Sequence, residues 1–327
     1  MKEVPSESYE RDAFLPYARM LELPLYPLSD NVDLDDHMVT AHKQFLAGFQ
    51  EEWKEIASKS PTIVTQLFPN VQRWEAKTAM ASWFSYLHVV ANIVNKMEVP
   101  LAIQELVESW MIFNQQSKYC TEDVTDSGFT VLNNIRSYSE ALRVHLQLLL
   151  PSAIVAKVCL QICQVIIGTI EEILFREAHS CDLEHYLKIR CKTVGLGPYF
   201  AMIGIKAVRI PVTEEDYLME CLKASVKDAV SYQNDLARLK SDLVNAETLN
   251  YVIISRSQTS AKNTSSLRLE LNDYFIDIMR TIRQHNETHH WAAECYQRLK
   301  NSGSERCRLQ SRALYYLIAT HWRLVGT

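Results

Sequence analysis

The chain has 327 residues, of which 47% are hydrophobic, and its 8 glycines and 10 prolines are few for the many turns of a large sheet. The formal net charge is −5, and Lys and Arg are dispersed along the chain, which excludes the concentrated basic surface typical of nucleic-acid-binding proteins. We therefore predict an all-α protein with no nucleic-acid partner.

The first 35 residues carry four prolines and are predicted to form an irregular arm. Residues 36–327 are predicted to form one helical domain, because no linker or internal repeat divides them. Apolar residues recur there at intervals of three and four, the period of amphipathic and buried helices. Helices are expected at 36–49, 71–97, 100–116, 128–149, 151–178, 182–193, 198–208, 214–245, 265–300 and 304–325, with a mobile loop from Ser255 to Ser266.

Two further patterns concern location. The sequence Met1–Ser6 has no apolar signal stretch, and the apolar stretch from Leu146 to Val158 is interrupted by polar residues. That stretch is shorter than the roughly 20 residues that span a bilayer. We expect a cytoplasmic protein without a membrane span, as a monomer or a homodimer.

An acidic group opens the first predicted helix. Asp33, Asp35 and Asp36 could form a metal cluster, but an acidic helix start is explained more simply by capping and by the helix dipole. We favour capping.

The segment Asn234–Asp242 carries the most informative spacing. Its first and last residues are oxygen ligands separated by eight positions, so both lie on one face of a predicted helix and could bind one divalent cation. An arginine, Arg190, precedes Asn234 by 44 residues within the sequence Tyr186–Gly195.

This combination resembles the class I terpene cyclases of fungi and bacteria, whose second metal motif reads Asn-Asp-x-x-Ser-x-x-x-Glu. The resemblance implies a single-domain class I terpenoid synthase bundle that encloses an apolar active-site cavity. It also implies Mg²⁺, or Mn²⁺, as the cofactor and a prenyl diphosphate as the substrate. By the same resemblance Asn234 and Asp242 are metal ligands, Arg190 senses the diphosphate, Thr193 is the linker and Val194 the effector residue.

The chain departs from the family pattern in its first metal motif. The aspartate-rich sequence expected near residue 90 is replaced by Trp83–Glu98, where Asn92, Asn95 and Glu98 are the remaining candidate ligands. Amide oxygens carry no charge, so we expect weaker metal binding there. A polar helix face turned to solvent is an equally good interpretation.

A second departure lies inside the Asn234–Asp242 motif. Arg238 occupies the position of the family's serine, and Asp242 replaces its glutamate. A guanidinium cannot bind a metal, but it can bind diphosphate oxygens, so we prefer an inward Arg238 that supplies a fixed positive charge. The alternative is a surface arginine paired with a nearby acid. Lys240 is a further candidate for substrate binding.

Aromatic side chains are the expected stabilisers of a carbocation, through cation–π attraction. Phe84, Tyr199 and Trp322 are our candidates, and the remaining aromatic residues are expected to be core. The family's adjacent Arg-Tyr pair near the C-terminus is missing, and its nearest substitutes are Arg312 with Tyr315 or Tyr316, and Arg323.

Chain length and the single-domain layout favour a sesquiterpene cyclase that acts on farnesyl diphosphate rather than on a C20 substrate. In its altered aspartate motif the chain resembles the divergent fungal humulene synthases. Two alternatives stay open at the level of sequence. A prenyl diphosphate synthase would share the fold but needs two aspartate-rich motifs, and a non-catalytic isoprenoid-binding or scaffold protein would explain the altered ligands directly.

Overall fold

The computed structural model describes residues 19–25, 33–114, 134–204, 213–259, 274–302 and 304–325. Within these ranges the regular structure is helical and contains no strand, which confirms the predicted all-α fold. The helices are α1 (Asp36–Leu46), α2 (Glu51–Ala57), α3 (Ser60–Leu67), α4 (Trp74–Val94), α5 (Val99–Asn114), α6 (Ile135–Leu149), α7 (Ser152–Glu177), α8 (Leu183–Thr193), α9 (Leu196–Met202), α10 (Glu214–Val244), α11 (Tyr251–Thr259), α12 (Phe275–Lys300) and α13 (Glu305–Val325).

The chain divides into two compact units. The N-terminal unit comprises Ser29–Leu174 and Lys192–Ala207, and the C-terminal unit comprises Met1–Leu28, Phe175–Cys191 and Val208–Thr327. The predicted division into an arm, residues 1–35, and one domain, residues 36–327, stays a prediction.

In the N-terminal unit, α4 supplies the largest buried side chains. Trp83 and Tyr86 are almost fully buried, and the Tyr86 hydroxyl group forms hydrogen bonds of 2.9 Å with Ser109 on α5 and Ser139 on α6. Buried hydroxyl groups need such partners, because an unpaired one costs about 1–3 kcal/mol. These bonds therefore fix α4 against its two neighbours.

The core of the C-terminal unit joins α10, α11, α12 and α13. Its main apolar cluster contains Leu21, Leu236, Leu239, Val252, Tyr274, Ile278, Ile282 and Trp322. Leu21 belongs to the irregular N-terminal segment, yet its side chain is only 7% exposed. Leu21 is therefore part of the core of the C-terminal unit.

Several local predictions can be compared with the helices. Asp35 caps α1 by accepting hydrogen bonds from the backbone N–H groups of His37 and Met38, which confirms the capping interpretation. The sequence analysis missed α2, α3 and α11. The predicted mobile loop is wrong for Ser255–Thr259, which belongs to α11, and its remainder lies outside the described residues.

One helix in the described part of the chain, α7, is a candidate membrane span. Helix α7 is long and apolar enough to cross a bilayer, although the core helices of globular proteins pass the same test, and 44% of its most apolar window is buried. The stretch Leu146–Val158, which the sequence analysis judged too short to span a bilayer, includes only the beginning of α7.

Candidate active site

Arg190 forms a buried ion pair with Asp235 in the C-terminal unit. Its Nε and Nη2 atoms lie 3.1 and 2.9 Å from Asp235 Oδ1, and the exposed fractions of the two side chains are 14% and 3%. The pair links α8, which carries the predicted diphosphate sensor, to α10, which carries the predicted metal motif. The sequence analysis predicted both regions but not this contact.

The other oxygen of Asp235 is also fully used. Oδ2 accepts hydrogen bonds from the Tyr186 hydroxyl group, at 2.7 Å, and from the backbone N–H of Tyr251, at 3.0 Å. A buried carboxylate is tolerated when its charge is paired and its lone pairs are occupied. Asp235 thereby fixes three segments of the chain around one carboxylate.

Asn250 fixes Asp242, the last residue of the Asn234–Asp242 motif, through hydrogen bonds. Its Nδ2 atom donates to Asp242 Oδ2, at 2.9 Å, and to the carbonyl oxygen of Asp235, at 2.7 Å. Its Oδ1 atom accepts from the backbone N–H of Val252 and so caps the start of α11. The carboxylate of Asp242 is held in place before any cation binds.

Burial is the main cause that raises the pKa of Asp242 above its ordinary value, while the Asn250 hydrogen bond and the Arg238 charge lower it. Asp242 is only 4% exposed. A desolvated carboxylate of this kind is stabilised by a cation, since opposite charge favours the ionised form. Asp242 therefore has the surroundings expected of a candidate cation ligand.

Three further residues of the motif, each a predicted site residue, differ in exposure. Asn234 is partly exposed, and its amide group makes no hydrogen bond within the described residues. Arg238 lies 3.5 Å from Asp242 Oδ1, which places it on the predicted face, but its side chain is 64% exposed. Lys240 is partly exposed. The roles of these side chains stay predictions.

Thr193 and Val194 lie at the end of α8, in the stretch assigned to the N-terminal unit. The Thr193 hydroxyl group donates to a carboxylate oxygen of Glu172 on α7. Gly195 breaks the helix with φ +72°, and its carbonyl oxygen accepts a hydrogen bond from Trp83 Nε1 at 3.0 Å. The positive φ favours glycine there, and a Cβ atom at this position would also lie 2.8 Å from Leu87 Cδ2, so that the Leu87 side chain would have to move. The break lies between the helices predicted at 182–193 and 198–208.

The polar face of α4 also lies in the N-terminal unit. The carbonyl oxygen of Phe84 accepts from His88 Nδ1 at 3.1 Å, and Asn92 Nδ2 donates to the carbonyl oxygen of His88 at 2.8 Å. Asn95 and Glu98 are exposed beyond the helix end. No group of three or more His, Cys, Asp or Glu side chains that could bind a metal occurs in the described residues. Glu98 is the only carboxylate among the three predicted ligands.

The three aromatic candidates lie in different surroundings. Phe84 is partly exposed and its ring centroid lies 4.2 Å from that of His88. Tyr199 is buried, packs on Phe68 and has a hydroxyl group without a hydrogen-bond partner in the described residues, and burial raises its pKa. Trp322 belongs to the main apolar cluster of the C-terminal unit. Arg312 and Arg323, the suggested substitutes for the Arg-Tyr pair, are exposed, and the Arg312 guanidinium lies over the Tyr316 ring.

Comparison with known proteins now decides the family. Residues 83–268, more than half of the chain, match the family described as "Terpene synthase family 2, C-terminal metal binding". The chain belongs to terpene synthase family 2. It is therefore an enzyme of the terpene synthase class, a lyase that acts on prenyl diphosphates. The matched range includes Arg190, Asn234 and Asp242. A search of curated proteins found no match.

Solved structures of terpene synthases share the fold. Linalool/nerolidol synthase from Streptomyces clavuligerus, in complex with 2-fluorogeranyl diphosphate, aligns with a TM-score of 0.62 at 12% identity and covers 90% of this chain and 100% of its own. For 2-methylisoborneol synthase from Streptomyces coelicolor A3(2), in complex with Mg²⁺ and 2-fluorogeranyl diphosphate, the TM-score is 0.64 at 12% identity, with 94% and 95% of the two chains covered. Hedycaryol synthase in complex with nerolidol has a TM-score of 0.54 at 13% identity, with coverage of 93% and 99%.

The donor atoms on α10 suit a divalent cation. Asp242 offers a desolvated carboxylate, and Asn234 offers an amide oxygen without a protein partner in the described residues. Hard cations prefer such oxygen ligands. The α4 face fits less well, because amide oxygens and an imidazole replace carboxylates there.

Proposed function

We propose that this terpene synthase is a sesquiterpene cyclase that uses Mg²⁺ to ionise farnesyl diphosphate and cyclises the carbocation to a sesquiterpene hydrocarbon, with release of diphosphate. A product of the humulene type is our candidate. The observation that supports it best is the shared network in the C-terminal unit. Asp235 binds Arg190, Asn250 binds Asp242, and both anchors meet at the start of α11. The proposed diphosphate donor Arg190 and the proposed metal ligand Asp242 are thus connected by one hydrogen-bond network.

Ionisation requires the leaving group to be stabilised as negative charge develops on it. When bound, Mg²⁺ neutralises diphosphate oxygens and so improves the leaving group. We propose Asn234 and Asp242 as its main protein ligands, with Asn92, Asn95 and Glu98 as weaker ones. Mn²⁺ could replace Mg²⁺ because it accepts the same oxygen ligands.

Arg190 is the proposed diphosphate donor. A guanidinium has five N–H donors in a rigid fork, and the pair with Asp235 uses two N–H groups on one side. Asp235 fixes the orientation of the fork, so little reorganisation accompanies diphosphate binding. Thr193 and Val194, which follow on the same helix, are proposed to act as linker and effector.

Arg238 is proposed to supply positive charge that a serine in this position cannot. Replacing it with serine is expected to lower turnover by about tenfold and to raise the Mg²⁺ concentration needed for half-maximal rate, because one charge-assisted contact contributes about 1.5–3 kcal/mol. Steady-state kinetics at varied Mg²⁺ measure both quantities. Unchanged turnover and metal dependence would mean that the exposed guanidinium is only a surface group.

The carbocation must be protected from water and stabilised without a nucleophile. Aromatic faces meet both needs through cation–π attraction, and Phe84, Tyr199 and Trp322 stay our candidates, with Lys240 as a further diphosphate contact. The preference for a C15 substrate comes from the chain length and the single-domain layout expected from the sequence. Cytoplasmic location and a monomeric or homodimeric state also stay proposals.

Product analysis tests the proposed reaction. Purified protein is incubated with farnesyl diphosphate and Mg²⁺, with geranyl and geranylgeranyl diphosphate in parallel, and volatiles are identified by gas chromatography with mass spectrometry. We expect a cyclic C15 hydrocarbon from farnesyl diphosphate and inorganic pyrophosphate in equal amount. A longer prenyl diphosphate would indicate chain elongation instead, and turnover confined to another substrate would contradict the C15 assignment.

A further inference from the structure

Gln233 directly precedes the proposed metal ligand Asn234, and it is completely buried. Its Nε2 atom donates to the carbonyl oxygen of Ile318 on α13 and lies 3.0 Å from His285 Nε2 on α12. Its Oε1 atom lies 2.7 Å from His321 Nδ1, also on α13. One side chain thus joins α10 to two other helices.

The chemistry of these partners fixes every proton in the chain of hydrogen bonds. A carbonyl oxygen can only accept, so the Ile318 contact identifies the Gln233 nitrogen, and its second hydrogen points at His285 Nε2. His321 must then donate from Nδ1 to Gln233 Oε1. Burial lowers the pKa of His285 to about 4 and is the main cause that lowers that of His321 to about 3, so both rings are neutral near pH 7.

The hydrogen bonds continue in the same donor-to-acceptor direction from His285 to Asn286. His285 Nδ1 lies 3.1 Å from Asn286 Oδ1, which also accepts from the backbone N–H of Glu22 at 2.9 Å. Asn286 Nδ2 donates to the carbonyl oxygen of Met20 at 3.0 Å. The chain of bonds therefore runs from α10 to the N-terminal segment, whose residue Leu21 is buried in the core.

Helix geometry places Asn234 between two anchors. Successive residues are rotated by about 100° around an α-helix, so the side chains of Gln233 and Asp235 leave the axis on either side of Asn234. Gln233 is bound to α12 and α13, whereas Asp235 is bound to Arg190, Tyr186 and α11. The hydrogen bonds of Gln233 on one side and of Asp235 on the other therefore hold this turn of α10 against rotation about the helix axis.

We propose that Gln233 is a positioning residue for the metal and diphosphate site, and that it acts with His285, Asn286 and the segment Met20–Glu22 to fix the rotation of the turn that presents Asn234. This inference rests on the proposed function of Asn234 and Arg190. The amide atoms of Gln233 are bonded to protein groups, so Gln233 would act through the position of Asn234.

The test compares Gln233→Met with Ser255→Ala. Methionine keeps the volume but loses all three hydrogen bonds, and Ser255→Ala removes the hydrogen bonds of a buried hydroxyl group on α11 to Asp277 and Arg280 of α12 in the same unit. For each variant we would measure unfolding by heat, affinity for inorganic pyrophosphate with Mg²⁺, KM and kcat. Both should unfold at lower temperature.

Only Gln233→Met should lose function in the folded protein, with kcat lower by about 10²-fold, as expected for a misplaced ligand, and weaker pyrophosphate binding. A Gln233→Met protein that keeps wild-type kcat and pyrophosphate affinity would overturn the inference. Wild-type protein that binds no pyrophosphate with Mg²⁺ would instead overturn the proposed function.

His321 provides a second comparison if Gln233→Met does not fold. Asparagine places an N–H donor near the position of the imidazole Nδ1, whereas leucine places none, so His321→Asn should restore most of the kcat that His321→Leu loses. Equal loss in the two variants would contradict a positioning role, because the Nδ1–H bond to Gln233 would then not be the important feature.

Discussion

Replacement of Arg190 by alanine is expected to lower kcat/KM by about 10²- to 10³-fold, since one preorganised donor to a developing anion contributes about 3–4 kcal/mol. The substitution also leaves the Asp235 carboxylate buried and without its cation. Breaking a buried pair in this way destabilises proteins by about 3–5 kcal/mol. Steady-state kinetics and thermal unfolding would be measured together.

A double variant separates the two effects. Arg190→Ala combined with Asp235→Asn removes both charges, and the asparagine can still accept from the Tyr186 hydroxyl group and from the N–H of Tyr251. We expect recovery of much of the lost stability but no recovery of turnover. If the double variant regains turnover, Arg190 matters only as the partner of Asp235, and its assignment as diphosphate sensor is wrong.

Replacement of Asp242 by asparagine is expected to change stability and activity in opposite directions. Burial raises the pKa of Asp242, so the ionised form is less favourable in the folded than in the unfolded protein. The free energy of unfolding is therefore highest below the unfolded-state pKa, where the carboxyl group is protonated in both states. It decreases as pH rises from the unfolded-state pKa through the folded-state pKa. Near pH 7 without metal, the neutral Asp242→Asn protein should therefore unfold at a higher temperature than wild type.

Activity should fall because the neutral side chain is a poorer ligand. We expect turnover lower by about 10²-fold, since metal stabilisation of the leaving group contributes several kcal/mol. Mg²⁺ with pyrophosphate at 100 times Kd should stabilise the wild type by about 2.7 kcal/mol, and the variant much less. Asp242→Glu, which restores the residue of the family motif, is the matched control. Equal stabilisation of the wild type and Asp242→Asn would exclude Asp242 as a ligand.

Helical periodicity indicated that Asn234 and Asp242 lie on one helix, and α10 carries both. Arg190 was suggested by the family resemblance alone, and its site role, like those of Asn234 and Asp242, stays a proposal. Asp235 and Asn250 were missed. Asp235 is adjacent to Asn234, but its side chain leaves the helix in a different direction and binds Arg190. Asn250 follows Asp242 by eight residues, beyond the end of α10, and its contact with Asp242 depends on the turn between them. Only the fold shows which groups these two residues bind.

Other predictions depended on tertiary packing that periodicity does not report. Helices α2, α3 and α11 are only 7, 8 and 9 residues long, too short for a clear periodic pattern. The arm with its prolines resembled a loop in composition, yet within its described stretch 19–25 Leu21 lies in the core and Met20 and Glu22 are hydrogen-bonded to Asn286. Arg238 lies on the predicted face of α10, but spacing could not indicate how exposed its long side chain is.

A crystal structure with Mg²⁺ and inorganic pyrophosphate tests the central claim most directly. We predict metal density bound by Asn234 and Asp242, and pyrophosphate within hydrogen-bond distance of the Arg190 guanidinium. Pyrophosphate bound far from Arg190, or metal density that involves neither Asn234 nor Asp242, would contradict the account.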